Sequence, residues 1–233
     1  MAKRKILLDE IVPKLSSIMD PLTAEQRELL LKNISAQAYK KNEIIYREGD
    51  PPQYMHCLVS GKVKINKEGV GGRTQIVRVI RPVQYFGFRA AFANQNYVTT
   101  AAAFEPSVIA RIPIGTIIYL IKTNASLAWF FIEHLSVDLG RADERMVNLT
   151  QKHIQGRLAE SLLFLKESYC LEEDGSTLSI YLSREDLANL SNMTTANAIR
   201  TLSAFASERI IACDGRKIKI IDEMALEKIS RLG

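Results

Sequence analysis

Between residues 38 and 121, apolar and polar positions alternate over short runs that turn residues interrupt at regular intervals. Residues 39–46 are rich in β-formers and end in Glu48-Gly49-Asp50-Pro51-Pro52, where proline fixes φ and glycine allows a tight reversal. Residues 54–59 follow, then a turn at Ser60-Gly61, then 62–66 with Val63 and Ile65 on one face. A glycine-rich loop (Gly69, Gly71, Gly72) leads into 73–80, and Pro82, Tyr85-Phe86-Gly87 and a β-rich run over 107–112 come next. Many short strands at this spacing predict a closed antiparallel sandwich or barrel rather than a parallel sheet.

From about residue 124 the period changes from two to 3.6. Phe131, Leu135, Ala142, Met146 and Leu149 recur at helical steps, with Glu133, Asp138, Arg141, Asp143, Glu144 and Arg145 around them. A helix of roughly 28 residues would run about 42 Å, too far to lie wholly under one small domain. Its narrow apolar stripe suits a two-helix seam, so these five residues are read as a dimer helix. The alternative is a helix packed along its own N-terminal domain. After His153 the pattern predicts a helix over 154–166, an acidic connector (Glu172-Glu173-Asp174-Gly175) and a short strand over 177–182.

The next segment carries the chemistry. Ser183 can cap a helix in which Leu187 and Leu190 face inward, and an acid three residues on mimics a capping box. Ser191-Asn192-Met193 has the length of a tight turn, and Thr194 can cap a second helix running to about Ser207. Ala198, Leu202 and Phe205 belong to its core face. The opposite stripe is Ala196, Ile199, Arg200 and Ser203, with Thr195 at the entry, and it holds no carboxylate. Such a surface suits a DNA major groove: Arg200 can pair with a guanine, while Thr195, Ala196 and Ile199 can touch thymine methyls. Residues 210–221 read as a hairpin turning at Asp214-Gly215, with Ile218 and Ile220 alternating against Lys217 and Lys219. Ser183, Thr194, Ser203, Arg216, Lys217 and Lys219 are the candidate phosphate contacts, which position without specifying.

Charge alone does not make this case. The formal net charge is +5, but residues 153–233 hold 10 Lys/Arg against 12 Asp/Glu. The reading rests on the order helix, turn, helix, basic wing. Cys57, Cys170 and Cys213 are scattered and predict reduced thiols, as in a cytoplasmic protein. The basic start, residues 1–5, is followed only by Ile6-Leu7-Leu8 before two acids, so no export signal is expected. No run approaches the roughly 18 apolar residues of a membrane span. Only His56 falls in the β-rich region, so neither a metal site nor a hydrolytic constellation is expected, and the chain does not read as an enzyme.

At four places the chain resembles the Crp/Fnr superfamily of transcription regulators. Residues 41–50 (KNEIIYREGD) resemble the entry to that family's cyclic-nucleotide-binding-type β-roll, and 60–65 (SGKVKI) the strand that follows. Residues 156–163 (GRLAESLL) resemble the helix after the family's hinge, and 182–202 align without gaps to its helix-turn-helix. The resemblance implies an α+β fold: an N-terminal antiparallel β-roll of jelly-roll type over 1–123, a long dimerisation helix over 124–152 and a winged helix-turn-helix over 153–233. It also implies a homodimer on palindromic double-stranded DNA, a small-molecule effector in the roll, and RNA polymerase as a further partner.

The departures shape the expected ligand. Cyclic-AMP-binding members hold ribose and phosphate with a Gly-Glu segment and an Arg-Ser pair. Here the first stretch is Gly87-Phe88-Arg89, and the pair is Val98 and Thr99, next to Thr100. Without that arginine a cyclic phosphate loses its bidentate partner, so cyclic AMP in the usual mode is not expected. These six residues are kept as the pocket for an effector the sequence does not identify. Three dispersed cysteines do not reproduce the four-cysteine iron–sulfur cluster of oxygen-sensing members. A haem would have to take its axial ligand from His56, His134 or His153. In the reading helix many members carry Glu and Arg four residues apart; Arg200 matches the Arg, and Ala196 stands at the Glu position. The half-site is therefore expected to be T-rich with one essential guanine. Rotation about a hinge near 151–155 is the expected route from effector to DNA. The competing reading is a ligand-binding module whose helical tail contacts protein.

Overall fold

The structure is a computed structural model describing residues 11–69 and 72–233. The basic start, with Ile6, Leu7 and Leu8, and Gly71 of the glycine-rich loop lie outside the described residues. Two compact units are present, one of residues 11–68 and 77–137, the other of 69, 72–76 and 138–233.

In the first unit a 3-10 turn, Val12–Leu15, leads into α1 (Ser16–Met19) and α2 (Ala24–Asn33). The Thr23 hydroxyl accepts from Gln26 N while the Gln26 side chain accepts from Thr23 N, a reciprocal pair that starts α2. There follow β1 (Ser35–Tyr39), β2 (Ile44–Tyr46), β3 (Tyr54–Ser60), β4 (Val63–Glu68), β5 (Thr74–Ile80), β6 (Tyr85–Phe86) and α3 (Phe88–Phe92). Then come β7 (Thr100–Ala103), β8 (Ser107–Pro113), α4 (Ile114–Thr123) and the long α5 (Ala125–Gln151), which continues into the second unit. The strands form two four-stranded sheets, ordered β1-β8-β3-β6 and β2-β7-β4-β5. Registered pairs such as Ala36↔Ala110, Leu58↔Ile109 and Ile65↔Ala101 are antiparallel.

The predicted antiparallel β-roll is thus present, and its inner core joins Tyr46, Leu58, Val63, Ile65, Ile80, Phe86, Tyr97 and Ile109. Along β3 the side chains alternate: Leu58 faces this core, whereas Met55, Cys57 and Val59 face a second core with Ile11, Leu15, Leu30, Phe88, Ile117, Leu120, Leu127 and Phe131. Central strand β3 is therefore apolar on both faces, with helices covering one of them. Cys57 is fully buried, and that burial pushes its thiol up to about 12, whereas Cys170 and Cys213 are exposed.

Several elements differ from the sequence reading. The β-rich stretch 39–46 splits into β1 and β2, in different sheets, because Asn42 turns the chain at φ +63 and Glu43 Oε2 accepts from Lys40 N at 2.7 Å. Residues 114–123, placed among the strands, are helical, with an amphipathic face that buries Ile117 and Leu120. Residues 177–182 make only bridges, at Thr177↔Lys219 and Leu171↔Leu178. The Asp174 carboxylate accepts from the Ser176 and Thr177 amides there and diverts the chain into an Asx turn.

In the second unit α6 (Ile154–Tyr169), α7 (Arg184–Leu190) and α8 (Thr195–Ser207) precede the hairpin β9 (Ile211–Asp214) and β10 (Lys217–Ile220), and α9 (Glu223–Leu232) follows. The region read as a hinge is tied down: His153 N donates to Gly233 O at 3.0 Å and Arg157 Nη1 to Leu149 O at 3.2 Å. Glu160 on α6 accepts from Lys152 Nζ (2.7 Å), Ser230 Oγ (2.6 Å) and Asn148 Nδ2 (3.2 Å), joining three helices. Burial works to raise the Glu160 carboxyl, but the hydrogen bonds from Lys152 and Ser230 and the lysine's charge outweigh it. The carboxyl is held below its usual value.

Three substitutions probe this packing. Gly61 has φ +89, and a Cβ there would lie 2.6 Å from Pro106 O and 2.7 Å from Ser107 Cα. Gly61→Ala should lower stability by about 1–3 kcal/mol in denaturant unfolding, the scale of left-handed strain in a tight turn. Gly115→Ala, in α4 with open space at its Cβ, should instead be neutral or gain up to about 1 kcal/mol. Because the Glu160 carboxyl is lower in the folded state, its stabilisation is present above the ordinary carboxylate range and lost as pH falls through the lowered value. The urea midpoint should therefore fall less steeply between pH 5 and pH 3 in Glu160→Gln than in the parent, by about the weight of one carboxylate.

Candidate nucleic-acid interface and sensor pocket

Helix α7 starts at Ser183, whose hydroxyl accepts from Asp186 N at 3.0 Å and donates to the Asp186 carboxylate at 2.7 Å. The expected pairing with the acid three residues on is thus made, through the side chains. Leu187, Ala188 and Leu190 are buried, and Asn192 turns the chain at φ +49. Helix α8 starts at Thr194, whose hydroxyl accepts from Asn197 N at 3.2 Å. It buries Ala198, Thr201, Leu202 and Phe205. Thr195, Ala196, Ile199, Arg200 and Ser203 all stand exposed on the opposite face, as their spacing predicts. Arg200 Nη2 donates to Asn197 Oδ1 at 2.8 Å, so Asn197 steadies the guanidinium one helical turn from the N-terminus. Asn197 was not among the sequence candidates, although its i, i+3 spacing to Arg200 was visible.

In the wing, Lys217 pairs with Asp214, so the two loop residues are Gly215 and Arg216, one place later than the Asp-Gly signal implies. Gly215 takes φ +53, the glycine-first arrangement of tight hairpins. Arg216 is exposed at the tip, and Arg184 Nη2 braces that tip by donating to Gly215 O at 2.9 Å. Ile218 and Ile220 are buried, while Lys217 and Lys219 face outward toward the connector acids, 3.9 Å from Glu172 and 3.6 Å from Asp174. The Asp174 carboxyl is held well below its ordinary range by the Thr177 and Ser176 amides, so it stays charged.

On α5 the five stripe residues do not share one environment. Phe131 is a core residue of its own unit, 5.2 Å from the Phe88 ring and 5.3 Å from Phe92, and Leu135 packs against that core. A buried Phe131 is not available to a partner helix. Leu149 is half-buried, and Ala142 and Met146 are exposed. Six large apolar residues of α5 are exposed, Trp129, Ile132, Val137, Leu139, Met146 and Val147; of these Ile132 (50%), Leu139 (63%) and Met146 (60%) stand one heptad apart, each followed three residues later by Leu135, Ala142 or Leu149.

The six pocket candidates also separate. Phe88 is buried in the helical-side core, away from the roll's interior, and Val98 is 54% exposed. Thr100 Oγ1 accepts from Glu48 N at 3.0 Å. Gly87 takes φ +82, and a Cβ there would lie 2.6 Å from His56 Nδ1, so the turn and the close approach both call for glycine. Thr99 and Arg89 instead lie near Tyr46, which sequence reading missed. Burial pushes the Tyr46 phenol up to about 12, against a hydrogen bond with Thr99 and the nearby charges of Arg78 and Arg89. Tyr46 stacks on Tyr97 at 3.8 Å, and His56 stacks on Phe86 at 5.0 Å. His56 is enclosed, its Nδ1 has no hydrogen-bond partner among the described residues, and burial followed by the Arg111 charge lowers it to about 3, so the ring is neutral. Nothing in the sequence separated this histidine from a surface one.

Comparison with known proteins adds the family. Residues 36–124 match the cyclic nucleotide-binding domain and 156–229 the Crp-like helix-turn-helix domain. A curated relative, the CRP-like cAMP-activated global transcriptional regulator of Mycobacterium tuberculosis, is 21% identical over 225 residues, covering 96% of this chain and 100% of that protein. The global nitrogen regulator of a Nostoc species is 23% identical over 195 residues, 82% of this chain and 87% of that one. The structure of FixK2 from Bradyrhizobium japonicum superposes with a TM-score of 0.76 at 22% identity, covering 84% of this chain and 96% of that chain. With a roll, a helix-turn-helix and a wing in the family's order and both domain models matched, the chain belongs to the Crp/Fnr family of DNA-binding transcription regulators.

Proposed function

We propose that the protein acts as a homodimer that reads a palindromic operator and is controlled by a small effector bound in its roll. The observation that carries this is the exposed face of α8: a carboxylate-free stripe with one asparagine-steadied arginine, beside a wing with an exposed arginine tip. Arg200 reads a guanine in each half-site, Thr195, Ala196 and Ile199 contact thymine methyls, and half-site centres lie about one helical turn apart. Ser183, Thr194, Ser203 and Arg216 meet phosphates. Lys217 and Lys219 join them by exchanging their long, exposed contacts with Glu172 and Asp174 for phosphate oxygens, since exposed ion pairs hold weakly.

The dimer seam runs along α5 through Ile132, Leu139 and Met146 with Leu135, Ala142 and Leu149, a heptad pattern that hides apolar surface otherwise left in water. Phe131 is left to the monomer's own core. The effector pocket is centred on the Tyr46 hydroxyl with Thr99, Arg89 and Gly87. A cyclic nucleotide held in the usual way does not fit, because Val98 offers no charge and Phe88 faces the other core. The site of action is the cytoplasm, with RNA polymerase as the further partner.

Selection of duplex DNA from a random pool by the purified protein should enrich one two-fold motif. Arg200→Ala should then cost about 1–3 kcal/mol on that motif and flatten discrimination at the guanine. Equal loss on every sequence would make Arg200 a phosphate contact. Affinity should also fall steeply with salt, as expected when several phosphate contacts release counterions. Leu139→Glu should shift the sedimentation profile from dimer to monomer without lowering the monomer's helix content, because Leu139 is exposed in the single chain. A dimer that survives this change would move the seam elsewhere.

A further inference from the structure

Arg145 lies on α5, one residue before the seam position Met146. Its Nη2 donates to the Ile76 carbonyl of β5 at 2.7 Å and to the Leu190 carbonyl of α7 at 3.0 Å. The guanidinium carbon stands 5.8 Å from the centre of the Phe164 ring on α6. All four residues belong to one compact unit. Burial lowers the guanidinium to about 10, which leaves it charged at neutral pH.

Both acceptors are groups that secondary structure tends to leave over. Strand β5 is the edge of its sheet, where backbone groups face outward in need of partners. Leu190 is the last residue of α7, and terminal carbonyls lack partners within the helix and sit at the negative end of its dipole. A planar guanidinium can serve two such carbonyls at once, which a lysine ammonium does less rigidly. Gln75 Nε2 adds contacts to the same carbonyls, at 3.4 Å to Ile76 and 3.5 Å to Leu190. Ser191, fully buried, lies 2.8 Å from Ser161 on α6 through their hydroxyls. The end of α7 is therefore held from α5, α6 and β5. Five residues after Leu190 the chain enters α8, so these holds set where the reading face stands relative to α5.

We propose that Arg145 is the positioning residue that fixes the reading helix relative to the dimer seam, so that both half-sites of a palindrome are met together. This rests on the dimeric, palindrome-reading function above. Its physical basis is that engagement of the second half-site is intramolecular, and its effective concentration collapses when the geometry is not held. Arg145 touches no DNA in this role.

The test compares two duplexes, the palindrome enriched by the parent protein and the same duplex with one half-site scrambled. Arg145→Met keeps the stem and removes the donors; Arg145→Lys restores a charge and a donor head. Arg145→Met should weaken palindrome binding at least about tenfold while single half-site binding stays within about twofold. Arg145→Lys should fall between, and sedimentation should show an unchanged dimer. Amide exchange over 187–194 should quicken in Arg145→Met. Equal loss on both duplexes, no loss, or tighter palindrome binding would overturn the proposal, as would unchanged exchange over 187–194. A parent protein that binds both duplexes alike overturns the dimeric reading itself. A parental preference that survives Arg145→Met overturns only the role of Arg145.

Discussion

One helix has to serve several neighbours with a single surface, and much of the structure follows from how α5 divides it. Its first turns give Leu127 and Phe131 to the core beneath α4 and β3. A different stripe, Ile132, Leu139 and Met146, stays exposed along its length. Near its C-terminal end Arg145 turns away from that stripe to the backbone of β5 and α7. A helix turns by about 100° per residue, so neighbours in sequence such as Phe131 and Ile132 necessarily serve different partners. The burial of one and the exposure of the other are consequences of that geometry.

The roll is organised by a different constraint, the cost of enclosing polar groups. His56, Tyr46 and Tyr97 are all enclosed in its aromatic interior, and each is driven toward its neutral form by burial. The charges stand at the margin, from Arg78 and Arg89 near the Tyr46 hydroxyl. The Tyr46 phenol thus stands with the Thr99 hydroxyl and two nearby cations. That chemistry departs from the glutamate, arginine and serine set of a cyclic-AMP pocket.

The exposed face of α8 was legible because it depends on local rules. Ser183 and Thr194 cap where their spacing places them, and Ala198, Leu202 and Phe205 turn inward on a helix whose period fixes the rest. The antiparallel roll was legible from its turns and short alternating runs. The failures lie where tertiary context decides. Phe131 was read into the dimer stripe because, at a helical step from Leu135, it satisfies the same periodicity whether it meets a partner or its own domain. Helix α4 was hidden by Pro113 and Gly115, yet proline at a helix start is compatible with helix, since its missing amide would lack a partner there anyway. Phe88 was drawn into the pocket by its place beside Gly87, but the left-handed turn at Gly87 leads into α3, where Phe88 faces the opposite core. Tyr46 was missed because only the folded sheet brings β2 to the loop carrying Thr99.

The buried Cys57 has a use beyond packing. Thiols react as thiolates, and a sulfur enclosed in the core of β3 and held at about 12 reacts only when that core opens. Cys170 and Cys213, exposed in the other unit, have no such barrier. Alkylation followed by mass spectrometry would therefore run on two clocks within one chain. The fast clock counts reagent encounters at the reading unit, and the slow one counts openings of the roll. The molecule thus carries an internal gauge of how often its roll opens, with no label added.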